Sequence, residues 1–172
     1  ENKKMSAINL EGKVAVVTGA SQGLGEALAM RLDKEGCKVA VCDINIEGAK
    51  AVASKLNDAM ALAVDVTKYD QLENAAKEVI AKWGKVDILI CNAAIVKSGD
   101  IFNLSPEAFS LVTNINLNGY FNTVKAFAPY MLEAKSGSII QINSKSGRKG
   151  SVKNGAYAAC KFGGVGLTQS LA

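Results

Sequence analysis

The chain contains no histidine, which removes the side chain that most often ligates zinc and most often moves protons near neutral pH. Its four cysteines, Cys37, Cys42, Cys91 and Cys160, do not fill that gap. None stands in a CxxC pair, and each lies in an apolar run, where a thiol behaves as a small hydrophobe. No bound metal is expected. No apolar run approaches the roughly 18 residues of a membrane span, and the start, Glu1-Asn-Lys-Lys-Met-Ser6, lacks the apolar core of a signal peptide. These absences predict a cytoplasmic protein with no membrane partner.

Acidic residues are also missing from the last stretch: none follows Glu133, while Lys135, Lys145, Arg148, Lys149, Lys153 and Lys161 all do. A solvated loop and an anion-binding surface are both open readings of the cluster from Lys145 to Lys153. Without interleaved aromatics or a binding motif, nucleic acid is not an expected partner.

At 172 residues and 49% hydrophobic content, the chain can bury one core, and a single domain over residues 1–172 is expected. Short apolar runs at Lys13 to Thr18, Lys38 to Cys42, Met60 to Val64, Val86 to Cys91 and Ser138 to Ile142 read as buried strands. Helix-period segments lie between them, at Gly23 to Glu35, Glu47 to Leu56, Lys68 to Trp83 and Pro106 to Ala134, with a last helix from about Tyr157. Gly36, Gly84 and Gly137 stand where helices commonly stop. Strict alternation of strand and helix predicts an α/β fold of three layers, a doubly wound parallel sheet covered by helices on both faces.

Two helices carry residues that a helix alone would not favour. The one opened by the cap sequence Ser105-Pro-Glu includes Asn114, Asn116 and Asn118, whose amides compete for backbone partners, so at least one is expected to have another task. The last contains Gly163, Gly164 and Gly166, each costing about 1 kcal/mol relative to alanine, for which close approach of another backbone is the expected compensation.

The first strand runs directly into Thr18-Gly19-Ala-Ser21-Gln22-Gly23-Leu24-Gly25, and an apolar-periodic helix follows at once. Glycines let backbone approach a pyrophosphate, whose charge is stabilised by free amides and the positive end of the helix. A dinucleotide is therefore the expected ligand. The second strand ends in Asp43, placed to accept from a ribose 2′-hydroxyl and to repel a 2′-phosphate, which predicts NAD rather than NADP. Asp65-Val66 and Asn92-Ala93 close the next two strands on the same ligand side of the sheet. Asp65 serving only as a turn cap, and Asn92 serving only to hold adjacent loops, remain alternatives.

Tyr157 and Lys161 stand four residues apart, so on a helix they share a face. An ammonium beside a phenol favours the phenolate, and such a tyrosine can exchange a proton with an alcohol or carbonyl oxygen. Ser144 ends the fifth strand, with Ser146 a competing hydroxyl two residues on.

With the glycine turn, Asn92-Ala-Ala, Asn116, Ser144, Tyr157 and Lys161 in this order, the chain resembles the short-chain dehydrogenase/reductase family over nearly its whole length. The resemblance implies a Rossmann fold, NAD chemistry and a catalytic tetrad of Asn116, Ser144, Tyr157 and Lys161. By it, Tyr157 is the acid/base, Lys161 favours its phenolate and holds the nicotinamide ribose, Ser144 hydrogen-bonds the reacting oxygen, and Asn116 positions a relay water. It also implies a homo-oligomer, dimer or tetramer, through the long fourth helix and the final helix. Ile139 to Gly147 and Lys161 to Ala172 further resemble members acting on a sugar phosphate, which implies a small-molecule substrate of that class. Ala94 and Asn143 depart from the family, which usually has glycine and serine at those places. Family members continue past the position of Ala172 through two more strands, so this form is expected to be C-terminally truncated and inactive or nearly so. A nonenzymatic dinucleotide sensor and an NADPH-dependent 3-oxoacyl reductase are the rival readings.

Overall fold

The computed structural model describes residues 9–172, so the charged start Glu1 to Ser6 lies outside the described residues. Five strands, β1 (Val14–Thr18), β2 (Lys38–Asp43), β3 (Ala59–Ala63), β4 (Ile88–Cys91) and β5 (Ser138–Gln141), form one sheet in the order β3-β2-β1-β4-β5. Every pairing is parallel. Six helices alternate with them: α1 (Gly23–Lys34), α2 (Ile46–Ala53), α3 (Tyr69–Trp83), α4 (Pro106–Thr113), α5 (Gly119–Glu133) and α6 (Gly155–Leu171).

Both faces of the sheet are covered, which is why β1 is an unbroken apolar run with every residue buried. Val14 and Val16 pack with Leu72, Val79 and Phe127 of α3 and α5, whereas Ala15 and Val17 pack with Ala29, Leu32, Ala49 and Val52 of α1 and α2. One strand thus holds two hydrophobic layers together, through the period-two alternation of its side chains. A smaller cluster of Val112, Ala156 and Cys160 fastens α4 to α6.

The element ends shift by a few residues from the sequence expectation. The last turn after α2 tightens, with the Lys55 and Leu56 amides donating to carbonyls three residues back. The helix opened by Ser105, whose Oγ accepts from the Ala108 amide at 3.1 Å, is not uniform. Between α4 and α5 lies a π-helical turn, Asn114–Asn118, where the asparagines cluster. Helix α6 begins at Gly155, two residues before the expected start.

The sheet order places β1 between β2 and β4, so successive connections leave it in opposite directions. The loops that follow β1, β2, β3 and β4 diverge at the carboxyl edge and leave a crevice there, the usual ligand position in an open α/β sheet.

Candidate functional site

The crevice is built around the turn after β1. Gly19 and Gly23 adopt left-handed backbone, with φ of +64° and +58°, and α1 starts at once. A methyl on Gly25 would run into the Gly19 carbonyl and stand 2.6 Å from the Asn92 amide nitrogen. Asn92 is the tether: its Nδ2 donates to the carbonyls of Thr18 at 3.0 Å and Gly19 at 2.9 Å. The buried Thr18 Oγ1 accepts from the amides of Asn92 and Ala93. Thr18 therefore anchors two loops, a role not visible in the sequence because its partners lie 74 and 75 residues away.

Asp43, 9% exposed, is tied to the same turn: Oδ2 accepts from the Ser21 amide and Oδ1 from the Asn45 amide, both at 2.9 Å. Asp65 caps the turn into α3, with Oδ1 accepting from the Thr67 amide and hydroxyl. Val66 is held by Asn122, whose Nδ2 donates to its carbonyl at 3.2 Å. A cleft of about 440 Å³ runs from Gly19, Ser21 and Gln22 past Asp43 to Asp65, Val66, Asn92 and Ala93. Leu24 lies outside it, 56% exposed on the first turn of α1. The cleft fits a dinucleotide: nothing lies within 4 Å of where a Gly23 side chain would begin, the start of α1 adjoins it, and its charged lining residues are the two aspartates. No lining cation is present to meet an additional phosphate.

Helix α6 brings Tyr157 and Lys161 together, with Lys161 Nζ 5.4 Å from the centre of the Tyr157 ring. Tyr157 is half-buried. Lys161 is only 4% exposed, and its Nζ donates to the carbonyl of Ile142 at the end of β5. Burial pushes the Lys161 pKa down, partly opposed by the neighbouring Cys160 thiol. Ser144 lies two residues past Ile142, and its Oγ accepts from the Ser146 amide at 3.1 Å, starting a single 3₁₀ turn, Lys145–Gly147. Ser146 is itself buried, which leaves Ser144 as the partly exposed hydroxyl of the two.

Asn116 occupies the middle of the π turn and is 4% exposed. It clamps Ile95 in the loop after β4, Oδ1 accepting from the Ile95 amide and Nδ2 donating to the Ile95 carbonyl, each at 2.8 Å. Asn118 instead donates to Asn114 on the exposed side, at 3.2 Å. Asn116, Lys161, Thr18 and Gln141 border a void of about 10 Å³, about the space of one water.

Lys145, Arg148, Lys149 and Lys153 are exposed beside this centre, with no carboxylate within 4 Å among the described residues. The Lys153 carbonyl accepts from the Gly99 amide at 2.9 Å, which joins the loop after β4 to the residues that start α6. All four cysteines are free and buried, and burial, with Asp43 adding, pushes the Cys42 thiol up to about 12. No helix among the described residues is long and apolar enough to cross a membrane.

The family model described as short chain dehydrogenase matches residues 13–172. The sorbitol-6-phosphate 2-dehydrogenase of Escherichia coli K12 is 41% identical over 167 residues, covering 93% of this chain and 64% of that protein. A 3-oxoacyl-[acyl-carrier-protein] reductase of Thermotoga maritima is 33% identical over 172 residues, covering 96% of this chain and 69% of its own length. A crystal structure of a short-chain type dehydrogenase/reductase from Mycobacterium marinum superposes with a TM-score of 0.92 at 30% identity, over 95% of this chain and 69% of that one. The chain thus spans about two thirds of the length of the relatives it matches, and 64% and 65% of two others.

Proposed function

The chain belongs to the short-chain dehydrogenase family, and from that premise we propose that the protein is an NAD-dependent oxidoreductase interconverting a secondary alcohol and a ketone. The pair we assign is sorbitol 6-phosphate and fructose 6-phosphate. One observation carries the reading: a buried ammonium at 5.4 Å from a tyrosine ring, beside a cleft shaped for a dinucleotide.

The cleft residues Gly19, Ser21, Gln22, Asp43, Asp65, Val66, Asn92 and Ala93 would hold NAD, and Gly23, Leu24 and Gly25 open the helix that would meet its pyrophosphate. NAD supplies the hydride acceptor when bound. Tyr157 takes the alcohol proton, and Lys161 stabilises the negative charge that the phenol oxygen carries in the exchange. Ser144 donates to the substrate oxygen where charge develops. Asn116 and Lys161 border the void in which a water would pass the proton onward. Lys145, Arg148, Lys149 and Lys153, unpaired at the rim, attract the phosphate of the substrate.

We assign residues 1–172 to one cofactor-binding domain. Self-association as a dimer or tetramer is supported by exposed Phe109, Leu111 and Phe121 on α4 and α5, with Phe162 and Leu171 on α6. The four free thiols fit a reducing, cytoplasmic setting. The test follows NADH oxidation by the complete protein with fructose 6-phosphate, simple ketones and 3-oxoacyl thioesters. Fructose 6-phosphate should give the highest kcat/KM. Preference for a thioester with NADPH would overturn the assignment.

A further inference from the structure

Lys161 is gripped twice by the end of β5. Its ammonium donates to the Ile142 carbonyl, and its own backbone carbonyl accepts from Asn143 Nδ2 at 3.1 Å. The second contact is unusual because Lys161 sits inside α6, where each carbonyl already has a helical partner. A carbonyl has two lone pairs, so the Asn143 amide takes the free one.

The other end of the same amide faces the serine. Asn143 Oδ1 accepts from the Ser144 backbone amide at 2.7 Å. One planar side chain therefore links the residue bearing the serine hydroxyl to the residue bearing the ammonium, which lies 18 positions from Asn143 in sequence. Gln141 steadies it from behind, its Oε1 accepting from Asn143 Nδ2 at 3.3 Å. Two glycines make room: a methyl on Gly147 would clash with Asn143 Oδ1, and one on Gly164 would clash with the Gln141 amide. The bridge thus has its own supporting packing on both sides.

We propose that Asn143 is a positioning residue that fixes the Ser144 hydroxyl relative to Tyr157 and Lys161. A side chain ending one atom beyond Cβ, such as serine, is too short to hold both contacts. Asn143 touches neither reacting atom in this scheme; it acts through the backbone of Ser144 and Lys161. Proton exchange and oxyanion stabilisation depend on placement, and a misplacement of about 1 Å costs on the order of 100-fold in rate. Most of the residues that would hold NAD lie away from the bridge, in the loops after β1, β2, β3 and β4, and Lys161 would touch only the nicotinamide ribose, so loss of the bridge acts on turnover far more than on NAD affinity.

This inference rests on the oxidoreductase reading above. The experiment compares Asn143→Ala, Gly147→Ala and the double variant in the complete protein, measuring kcat, NAD Kd and melting temperature. Asn143→Ala should lower kcat by about 10- to 100-fold while NAD Kd stays within about twofold. Because both substitutions break the same bridge, the double variant should lose no more than the worse single one. If Asn143→Ala does not fold, Asn143→Ser carries the test, with the same loss of kcat at unchanged NAD Kd. A kcat within twofold of the unsubstituted protein, or an equal loss of kcat and NAD affinity, would overturn the proposal. Absence of turnover in the unsubstituted protein would instead overturn the reading on which it rests.

Discussion

Replacing Gly25 with alanine introduces a methyl group where the molecule has no space. It would collide with the Gly19 carbonyl and approach Asn92 Nδ2 to 2.6 Å and Ala20 Cα to 2.8 Å. None of these is the free end of a flexible side chain: two are backbone, and the third is an amide committed to the carbonyls of Thr18 and Gly19. Overpacking of this kind costs about 1–3 kcal/mol, and displacement of the Asn92 bonds adds about 1 kcal/mol. For a domain of this size the sum lowers the melting temperature by about 5–15 °C. Since Gly19 must move away from α1, the turn also fits a pyrophosphate less well, and NAD Kd should rise about tenfold for each 1.4 kcal/mol by which binding weakens. Thermal unfolding by circular dichroism and calorimetric NAD titration measure the two effects. Gly23→Asn is the control for stability: Gly23 has φ +58° but nothing within 4 Å of an added Cβ, and asparagine tolerates left-handed backbone. That variant should melt within about 3 °C of the parent. A Gly25→Ala protein that melts within about 2 °C of the parent and binds NAD equally well would refute the close-packing argument.

Asp43→Asn keeps the size of the side chain and removes its charge, so the ratio of kcat/KM with NAD to that with NADP should fall about tenfold, the effect of about 1.4 kcal/mol of relieved repulsion. An unchanged ratio contradicts the role given to Asp43. Asn116→Ala deletes both 2.8 Å bonds to Ile95 and leaves two backbone groups without partners, which should cost about 2–4 kcal/mol in urea unfolding; a loss below about 0.5 kcal/mol would show the clamp to be unimportant. Burial depresses the Lys161 pKa below its ordinary 10.5, so between the folded value and 10.5 the unfolded chain binds more protons and stability rises with pH. The unfolding free energy of the parent relative to Lys161→Met should therefore move in favour of the parent as pH is raised from neutrality toward 10.5, and a shift the other way would reverse the sign of the burial effect.

The strands were legible because a sheet covered on both faces demands continuous apolar runs, as in Val14 to Thr18. Tyr157 and Lys161 were legible because four residues is one helical turn, and the structure puts the ammonium over the ring. The π turn was not legible. Three asparagines in one helix announced only that something interrupts it, and the inward position of Asn116 depends on Ile95, 21 residues away. The glycines of α6 divide in the same way. A side chain on Gly164 would meet the Gln141 amide and one on Gly163 would begin 3.1 Å from Leu117, so the close neighbours are side chains rather than the expected backbone, and a Cβ on Gly166 would have nothing within 4 Å among the described residues. Asn143 read as a mild departure from a pattern, since nothing local says that its amide reaches a carbonyl in α6. The general rule is that short-range periodicity was visible in the sequence, whereas hydrogen bonds that join distant loops were not.

The central claim is that Tyr157 exchanges the substrate proton beside the Lys161 ammonium, and Tyr157→Phe tests it by deleting one oxygen atom from a half-buried ring. In the complete protein the account predicts NAD Kd within about twofold of the parent and turnover reduced by at least about 100-fold, the lower end of the range for a lost general acid–base group. Turnover equal to that of the parent would contradict it.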